Sequence, residues 1–229
     1  MQITIGTCRE RIAYWENVDS VAGAQRFAAI NGIATGMVVS YPTYLHIGRQ
    51  QLVDMFLECE EATHLCFVDS DNTLPKEAIW ALAQRDLPIV GALYFGRRSL
   101  PEAVAKKWVG DDGGSRSVSK TIRELILSHE LHIAHGPQYI ENAPILEVDV
   151  IGFGCTLVKR EVIESIVHTY TNGFGDCGPI MGEDAEFCRL AQRLGYNIHV
   201  DLGVQLGHLR TYQVSVADFM SVHEWVEGE

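Results

Sequence analysis

The clearest fold signal in the chain is the stretch His64-Leu-Cys-Phe-Val-Asp-Ser-Asp71. Its apolar residues 65–68 form an uninterrupted run, which is typical of a central parallel strand covered by helices on both faces. The run ends abruptly in Asp69-Ser70-Asp71, and Pro75 follows at a place suited to the first turn of a helix. The sequence therefore predicts a buried strand over 64–68 with two carboxylates at its carboxyl end.

The two carboxylates indicate ligand binding. Residues two apart on a strand project in the same direction, so we expect Asp69 and Asp71 to converge on one spot. In open parallel sheets this end of the strands borders the crevice where ligands bind. Two hard oxygen donors suit Mg²⁺ or Mn²⁺, which are commonly shared with substrate phosphates. The alternative is a simple turn that caps the next helix, but the position directly after a buried strand favours metal binding.

Strands and helices alternate over the first hundred residues, which predicts an open α/β sheet. Asn31-Gly32 is expected to end the first helix. The predicted strands cover 2–7, 37–41, 64–68 and 88–95, and the predicted helices cover 18–30, 47–58 and 75–85.

The alternation of strands and helices stops between residues 96 and 121. Residues 110–119 predict a flexible polar loop, which could act as a flap over a ligand. Beyond it we expect a strand over 148–159, interrupted by Gly152 and Gly154, and a loop over 171–182 that could also close. Further helices are predicted over 161–170, 184–194 and 216–225, with short strands over 198–201 and 204–206. His129, His132 and His135 are spaced as on one side of a helix. They would form either a polar helix face or a cluster on the side of the site where an acceptor substrate binds.

Two further positions offer chemistry. Glu183 and Asp184 begin an amphipathic helix, where acids complement the helix dipole. A carboxylate presented there from a glycine-containing loop could equally act as a general base, and the motif alone leaves the two interpretations nearly even. His208 follows an apolar strand, and its neutral imidazole could complete a divalent-metal site that the carboxylates begin.

Composition narrows the class of protein. The chain has 229 residues, 47% of them hydrophobic, and a formal net charge of −12. It can therefore bury a sizeable core, and the negative charge disfavours a generic nucleic-acid clamp. The N-terminus is charged and the chain has no long apolar run, which predicts neither a signal peptide nor a membrane segment. The six cysteines form no C-x-x-C pair, which favours a reducing compartment, and we therefore predict a cytoplasmic protein. One locally basic stretch could bind phosphate or be solvated: Arg97, Arg98, Lys106, Lys107, Arg116 and Lys120.

In their order along the chain these motifs resemble the GT-A family of nucleotide-sugar glycosyltransferases, in particular its small, family-2-like members from bacteria and bacteriophages. The resemblance covers most of residues 2–210. It rests on the D-x-D motif Asp69-Ser-Asp71, the strand over 88–95, the glycine-containing segment 150–160, Gly182-Glu-Asp and Gly207-His208.

The resemblance implies an α/β GT-A fold, a Rossmann-like nucleotide-diphospho-sugar transferase with a central mixed, mostly parallel sheet flanked by helices. It implies one domain over 1–229. Residues 1–100 would form the nucleotide-binding half and residues 101–229 the acceptor-binding half.

The resemblance also assigns roles around the donor. Asp71 and His208 would ligate Mn²⁺ or Mg²⁺, and Asp69 would contact the ribose or join the metal shell. Ser70 lies in the same donor-binding motif.

The resemblance assigns further donor contacts to residues that follow or end the first two predicted strands. Thr7 would line the nucleoside pocket, with Arg9 a weaker candidate. Arg49 matches the family's arginine before an apolar helix and would contact the donor, although Gln50 replaces the asparagine that often follows.

On the acceptor side, Asp184 would be the base of an inverting enzyme and Glu183 would orient the acceptor. The implied function is metal-dependent transfer of a hexosyl or pentosyl group from a UDP- or GDP-sugar to a hydroxyl of a glycan or of a hydroxymethylated base in phage DNA. One alternative is a nucleotidyltransferase or pyrophosphorylase, which the lack of a glycine-rich cradle near Thr7 disfavours. Another is a non-catalytic nucleotide-sugar-binding protein. The sequence leaves the oligomeric state open.

Overall fold

A computed structural model describes residues 1–8, 14–97, 101–109, 114–132, 136–174, 182–209 and 216. Within them the helices are α1 Trp15–Ile30, α2 Leu45–Glu58, α3 Ala78–Gln84, α4 Ser119–Leu127, α5 Arg160–Tyr170 and α6 Glu183–Arg193. The strands are β1 Gln2–Thr7, β2 Ala34–Val39, β3 His64–Val68, β4 Asn72–Thr73, β5 Ile89–Leu93, β6 Lys106–Val109, β7 Gly114–Ser117, β8 Gln138–Tyr139, β9 Ile145–Val148, β10 Cys155–Lys159, β11 Ile198–Gln205 and β12 Gly207–His208.

The central sheet has eight strands in the order β2-β1-β3-β10-β5-β11-β8, and β9 also pairs with β11. β1 is parallel to β2 and β3, and β5 is parallel to β11. β10 lies between β3 and β5 and is antiparallel to both, so β3 and β5 run in the same direction. Five of the eight strands therefore share one direction, which confirms the predicted mixed, mostly parallel α/β sheet.

Helices cover the sheet on both faces, as the side chains of β3 show. Leu65 and Phe67 belong to one hydrophobic cluster, and Cys66 and Val68 belong to the other. The first cluster contains buried residues of α2, α4, α5 and α6, and the second contains those of α1 and α3. Every residue of β3 is buried, which confirms the prediction of an enclosed central strand.

Local sequence explains where helices end. The Asn31 side-chain amide donates to the carbonyl oxygen of Phe27 at 2.8 Å after the last residue of α1. Gly32 then adopts a positive φ of 81°, which a residue with a Cβ adopts only with strain. Gly195 does the same after α6, with a φ of 87°. The predicted helix stop at Asn31-Gly32 is confirmed.

The prediction of a flexible loop over 110–119 is wrong for its described residues. β6 and β7 form an antiparallel hairpin in which Lys107 lies opposite Arg116, and α4 follows directly. The hairpin is fixed to the core because the Lys106 N–H donates to the carbonyl oxygen of Val150. Its residues are half-buried or exposed, so their polar composition resembled that of a loop.

Other boundaries also differ from prediction. The strand predicted over 148–159 is two strands, β9 and β10, and the two short strands after 198 form one continuous β11. α4 ends at Leu127 and His129 has a positive φ of 62°, so His129 and His132 do not share a helix. His135, Arg98 and all but the first residue of the helix predicted over 216–225 lie outside the described residues. Within the described ranges, no helix combines the length and apolar character that crossing a bilayer requires.

Candidate functional site

Several polar side chains lie at the edge of the sheet where its parallel strands end. Asp69 directly follows β3, and Arg97 lies shortly after β5. β12 pairs with β4 so that His208 lies opposite Asn72, and the N–H of Leu209 donates to the Asp71 carbonyl oxygen at 2.6 Å. This pairing fixes His208, which is distant in sequence, beside the D-x-D motif.

Asp71, His208 and Arg97 form what we call the Asp71 cluster. His208 Nε2 lies 3.6 Å from Asp71 Oδ2, and Arg97 Nη1 lies 2.8 Å from the same oxygen. His208 Nδ1 is 2.7 Å from the carbonyl oxygen of Phe95. Because a carbonyl only accepts, Nδ1 carries the hydrogen, and Nε2 is the nitrogen that faces the carboxylate.

Charge keeps Asp71 ionised. Burial alone would raise the pKa of the Asp71 carboxyl, but the nearby His208, at 3.6 Å, and the charge of Arg97 outweigh burial. The pKa therefore lies below its usual value. Asp71 thus presents a carboxylate, the form that can ligate a cation, throughout the neutral pH range.

Arg49 organises a second group, the Arg49 cluster, with Asp69 and Glu183. Its Nη2 lies 2.9 Å from Asp69 Oδ1, and its Nη1 lies 2.7 Å from Glu183 Oε1. The Arg49 side chain is only 3% exposed. It therefore joins the end of β3 to the start of α6, and in this arrangement its guanidinium holds two carboxylates rather than projecting into solvent.

An aromatic layer lies under the Arg49 cluster. The Arg49 guanidinium carbon is 4.8 Å from the ring centroid of Phe153. Phe67 stacks on Phe153 with a centroid separation of 4.8 Å, and Phe174 stacks on Phe187 at 5.0 Å. These four rings are fully buried and also contact one another edge to face. Such a layer resists displacement, so it fixes the position of the arginine above it.

Asp184 lies next to the Arg49 cluster at the N-terminus of α6. Its Oδ1 accepts a hydrogen bond from the Ala185 N–H at 2.7 Å, and a Cβ on Gly182 would stand only 2.8 Å from that oxygen. Burial raises the pKa of the Asp184 carboxyl, the charge of Arg49 lowers it in part, and Glu183 raises it again. The net result is a raised pKa, which makes this carboxylate a stronger base than an ordinary aspartate.

Asn17 of α1 anchors the D-x-D motif, a role that the sequence did not reveal. Its side-chain amide donates to the carbonyl oxygens of Asp69 at 3.0 Å and Asn72 at 2.6 Å. The available signal was its position, since Asn17 is the polar member of the buried stripe of α1 with Val21 and Ala24. A buried amide in an apolar stripe indicates a specific hydrogen-bonding role.

Two predicted donor-binding residues carry buried polar atoms that suit a ligand. The hydroxyl oxygens of Thr7 and Ser70 are buried and, within the part of the chain described, have no hydrogen-bond partner. Natural proteins rarely leave such atoms unsatisfied away from functional sites. Cys8 follows Thr7, and burial raises the pKa of its thiol to about 11, so it is not a nucleophile at neutral pH. Arg9 lies outside the described residues.

The expectation that Asp69 and Asp71 lie on the strand and project in the same direction is wrong. β3 ends at Val68, and the Asn72 N–H donates to the Asp69 carbonyl oxygen, so the motif lies in a turn where strand alternation no longer applies. Asp69 faces Arg49, whereas Asp71 faces His208. Among the residues that the structure describes, no three potential ligands are grouped around one metal position. The structure thus brings together Asp71 and His208 but does not add Asp69 to them.

Comparison with known proteins identifies the fold. No protein-family model matches the chain, and no curated protein sequence is similar to it. Among solved structures, A197 from STIV matches with a TM-score of 0.55 and 15% identity over 95% of this chain and 92% of that one. GalNAc-T7 with UDP, GalNAc and Mn²⁺ matches with a TM-score of 0.54 and 12% identity over 93% of this chain.

The chain spans 43% of the length of GalNAc-T7. These likenesses show that the protein has the GT-A fold, the Rossmann-like fold of nucleotide-sugar transferases, as the motifs implied. At this level of identity the fold is established, and the activity must be argued from the site.

Proposed function

We propose that the protein is a metal-dependent glycosyltransferase that moves a hexosyl or pentosyl group from a nucleotide-sugar to an acceptor hydroxyl with inversion. The observation that carries the proposal is the pairing of Asp71 Oδ2 with His208 Nε2 at 3.6 Å, at the ligand-binding edge of a GT-A sheet. The acidic start of α6 lies near the Asp69 end of the same motif, since Arg49 contacts both.

The donor atoms of Asp71 and His208 fit a divalent cation. A lone pair on His208 Nε2 faces a carboxylate oxygen beyond hydrogen-bonding distance, an arrangement that a cation between them would stabilise. The other ring nitrogen donates to a backbone carbonyl, as metal-bound histidines commonly do. Mn²⁺ or Mg²⁺ held there, with ligands added by the substrate, would neutralise charge on the leaving nucleoside diphosphate.

The remaining donor contacts come from side chains that the fold holds rigid. The buried hydroxyls of Thr7 and Ser70 would bind the nucleoside end of the donor, which would satisfy both. Asp69 would accept a hydrogen bond from the ribose, because Arg49 fixes one of its oxygens and leaves the side chain 26% exposed. Arg49 would thus act on the donor through Asp69.

Asp184 would take the proton from the acceptor hydroxyl. Burial raises the pKa of this carboxyl, which increases its basicity. Glu183, fixed by Arg49, would orient the acceptor hydroxyl beside it. The acceptor that we propose is a glycan or a hydroxymethylated DNA base. UDP-sugars are the first donors to test, because GalNAc-T7 was solved with UDP.

The test is nucleotide release from a panel of UDP- and GDP-sugars with Mn²⁺, with water or an added glycan as acceptor. Asp184→Asn should lower the rate by about 10²–10⁴-fold and leave donor affinity, measured by calorimetry, unchanged. Glu186→Gln is the matched control, because Glu186 lies two residues after Asp184 on α6 and pairs with Arg189. It should keep the wild-type rate.

Near-normal release by Asp184→Asn would exclude it as the base. If no nucleotide-sugar of the panel raises the melting temperature with or without Mn²⁺, the proposed function itself is wrong.

A further inference from the structure

We propose that the Arg97 guanidinium competes with the divalent metal ion for the Asp71 carboxylate. When the donor complex forms, the metal ion replaces the guanidinium at Asp71. The proposal rests on the proposed function, because it concerns the same metal position. It adds a residue that neither the D-x-D motif nor the histidine ligand predicts.

Arg97 and the predicted metal require the same carboxylate oxygen. Arg97 Nη1 lies 2.8 Å from Asp71 Oδ2, the oxygen that also faces His208 Nε2 at 3.6 Å. An ion ligated by Oδ2 and Nε2 would stand beside the guanidinium, and like charges at such a separation repel strongly in a partly buried site. The two cations therefore exclude each other from Asp71.

Without a metal, Arg97 compensates the carboxylate. The Asp71 side chain is only 10% exposed, and a buried carboxylate without a counter-charge is unfavourable. Arg97 also donates to the carbonyl oxygen of Leu209, at 3.4 Å, a long hydrogen bond. Leu209 directly follows His208, so the same Arg97 nitrogen contacts both the Asp71 carboxylate and the backbone next to His208.

The side chain of Arg97 has room to leave. It is 40% exposed, in contrast to the 3% of Arg49. Arg97 also lines a cavity of about 200 Å³ together with Gly96, Glu102 and Lys106. Glu102 offers a second carboxylate in that cavity, so a displaced guanidinium keeps an anionic neighbour. Arg97 is thus an exchangeable partner of Asp71, where Arg49 is a fixed partner of Asp69.

The experiment measures Mn²⁺ binding alone, without a nucleotide-sugar, from the electron paramagnetic resonance signal of the free ion. Arg97→Gln should bind Mn²⁺ about five- to tenfold more tightly than wild type, and Arg97→Ala, the second variant, should behave alike. Lys107→Gln is the matched control. It removes the same charge from a side chain that is 45% exposed and paired with Asp149, and its affinity should stay within about twofold of wild type.

Asp71→Asn should abolish Mn²⁺ binding in both the wild-type and the Arg97→Gln backgrounds, which locates the ion. Equal or weaker Mn²⁺ binding by the Arg97 variants would overturn the proposal, as would an equal gain from Lys107→Gln. So would the absence of Mn²⁺ binding to every variant. If Arg97→Gln tightens Mn²⁺ binding but no nucleotide-sugar reacts, the proposed function fails and the exchange of cations stands.

Discussion

Asp69 and Asp71 are separated by one residue, yet their carboxylates have different surroundings. Asp69 is held by Arg49, whose side chain is 3% exposed and whose guanidinium also binds Glu183. Asp71 is held by Arg97, whose side chain is 40% exposed, and faces His208. Each carboxylate therefore has its own arginine, one enclosed by the core and one accessible to solvent.

The difference shows how burial assigns separate tasks to two like residues. The Arg49 cluster lies on stacked phenylalanines and cannot move without disturbing the core. The Asp71 cluster has an accessible cation that a ligand can replace. A D-x-D motif on this fold thus combines a rigid anchor with an exchangeable site.

The largest expected difference is in the free energy of unfolding of variants at Arg49 and Arg97. Arg49→Gln leaves Asp69 and Glu183 without their shared buried cation, so the free energy of unfolding should fall by about 3–5 kcal/mol. Arg97→Gln removes a cation that is 40% exposed while His208 still faces Asp71, so the loss should be smaller, about 1 kcal/mol. Urea unfolding followed by circular dichroism measures both. Equal losses would mean that the two clusters do not differ in rigidity.

Asn17→Ala should have an intermediate effect, because it removes the amide that fixes the turn between the two clusters. The part-buried carbonyl oxygen of Asp69 and the buried carbonyl oxygen of Asn72 would lose a donor, at a cost of about 1–3 kcal/mol in unfolding free energy. Asn31→Ala is the control, since its amide bonds an exposed carbonyl at the end of α1 and should cost about 0.5 kcal/mol. A loss no larger than that of the control would remove Asn17 as the anchor.

The smallest expected effect is in the pH dependence of stability, where Asp184 and Asp71 should act in opposite directions. The raised pKa of Asp184 means that the folded state binds its proton more tightly, so ionisation lowers stability as pH rises from about 3.9 through the raised pKa. The lowered pKa of Asp71 means that stability increases as pH rises from its folded-state pKa to about 3.9.

Unfolding free energies measured across acidic pH test these signs. Relative to wild type, Asp184→Asn should gain stability as pH rises through its window, and Asp71→Asn should lose stability through its own, lower window. Differences of the same sign for both variants would show that the two carboxyls have similar surroundings.

The fold was predictable where local patterns are strong. Alternating apolar and polar residues predicted the observed bounds of β1, an apolar run predicted those of β3, and Gly32 marked the end of α1. The hairpin of β6 and β7 was not predictable from composition, because its half-buried and exposed residues lack an apolar face. Its position depends on a hydrogen bond to Val150, which is distant in sequence.

The site was predictable in part. The sequence singled out Asp71 and His208, and the structure places them side by side. Asp69 was expected either to contact the ribose or to join the metal shell, and a turn beyond the end of β3 places it beside Arg49. Arg97 appeared only as one charge in a basic stretch. Its contact with Asp71 results from the order of β3, β10 and β5 in the sheet, which local spacing does not encode.

The bond between Arg49 and Glu183 joins residues 134 positions apart in the chain. A ribosome releases β1, α2 and β3 long before it releases α6, and contacts between distant segments form late in folding. A nascent chain that ends before α6 therefore lacks the Glu183 carboxylate that Arg49 binds in the complete fold. We expect the Arg49 cluster to be completed last, when synthesis has passed α6.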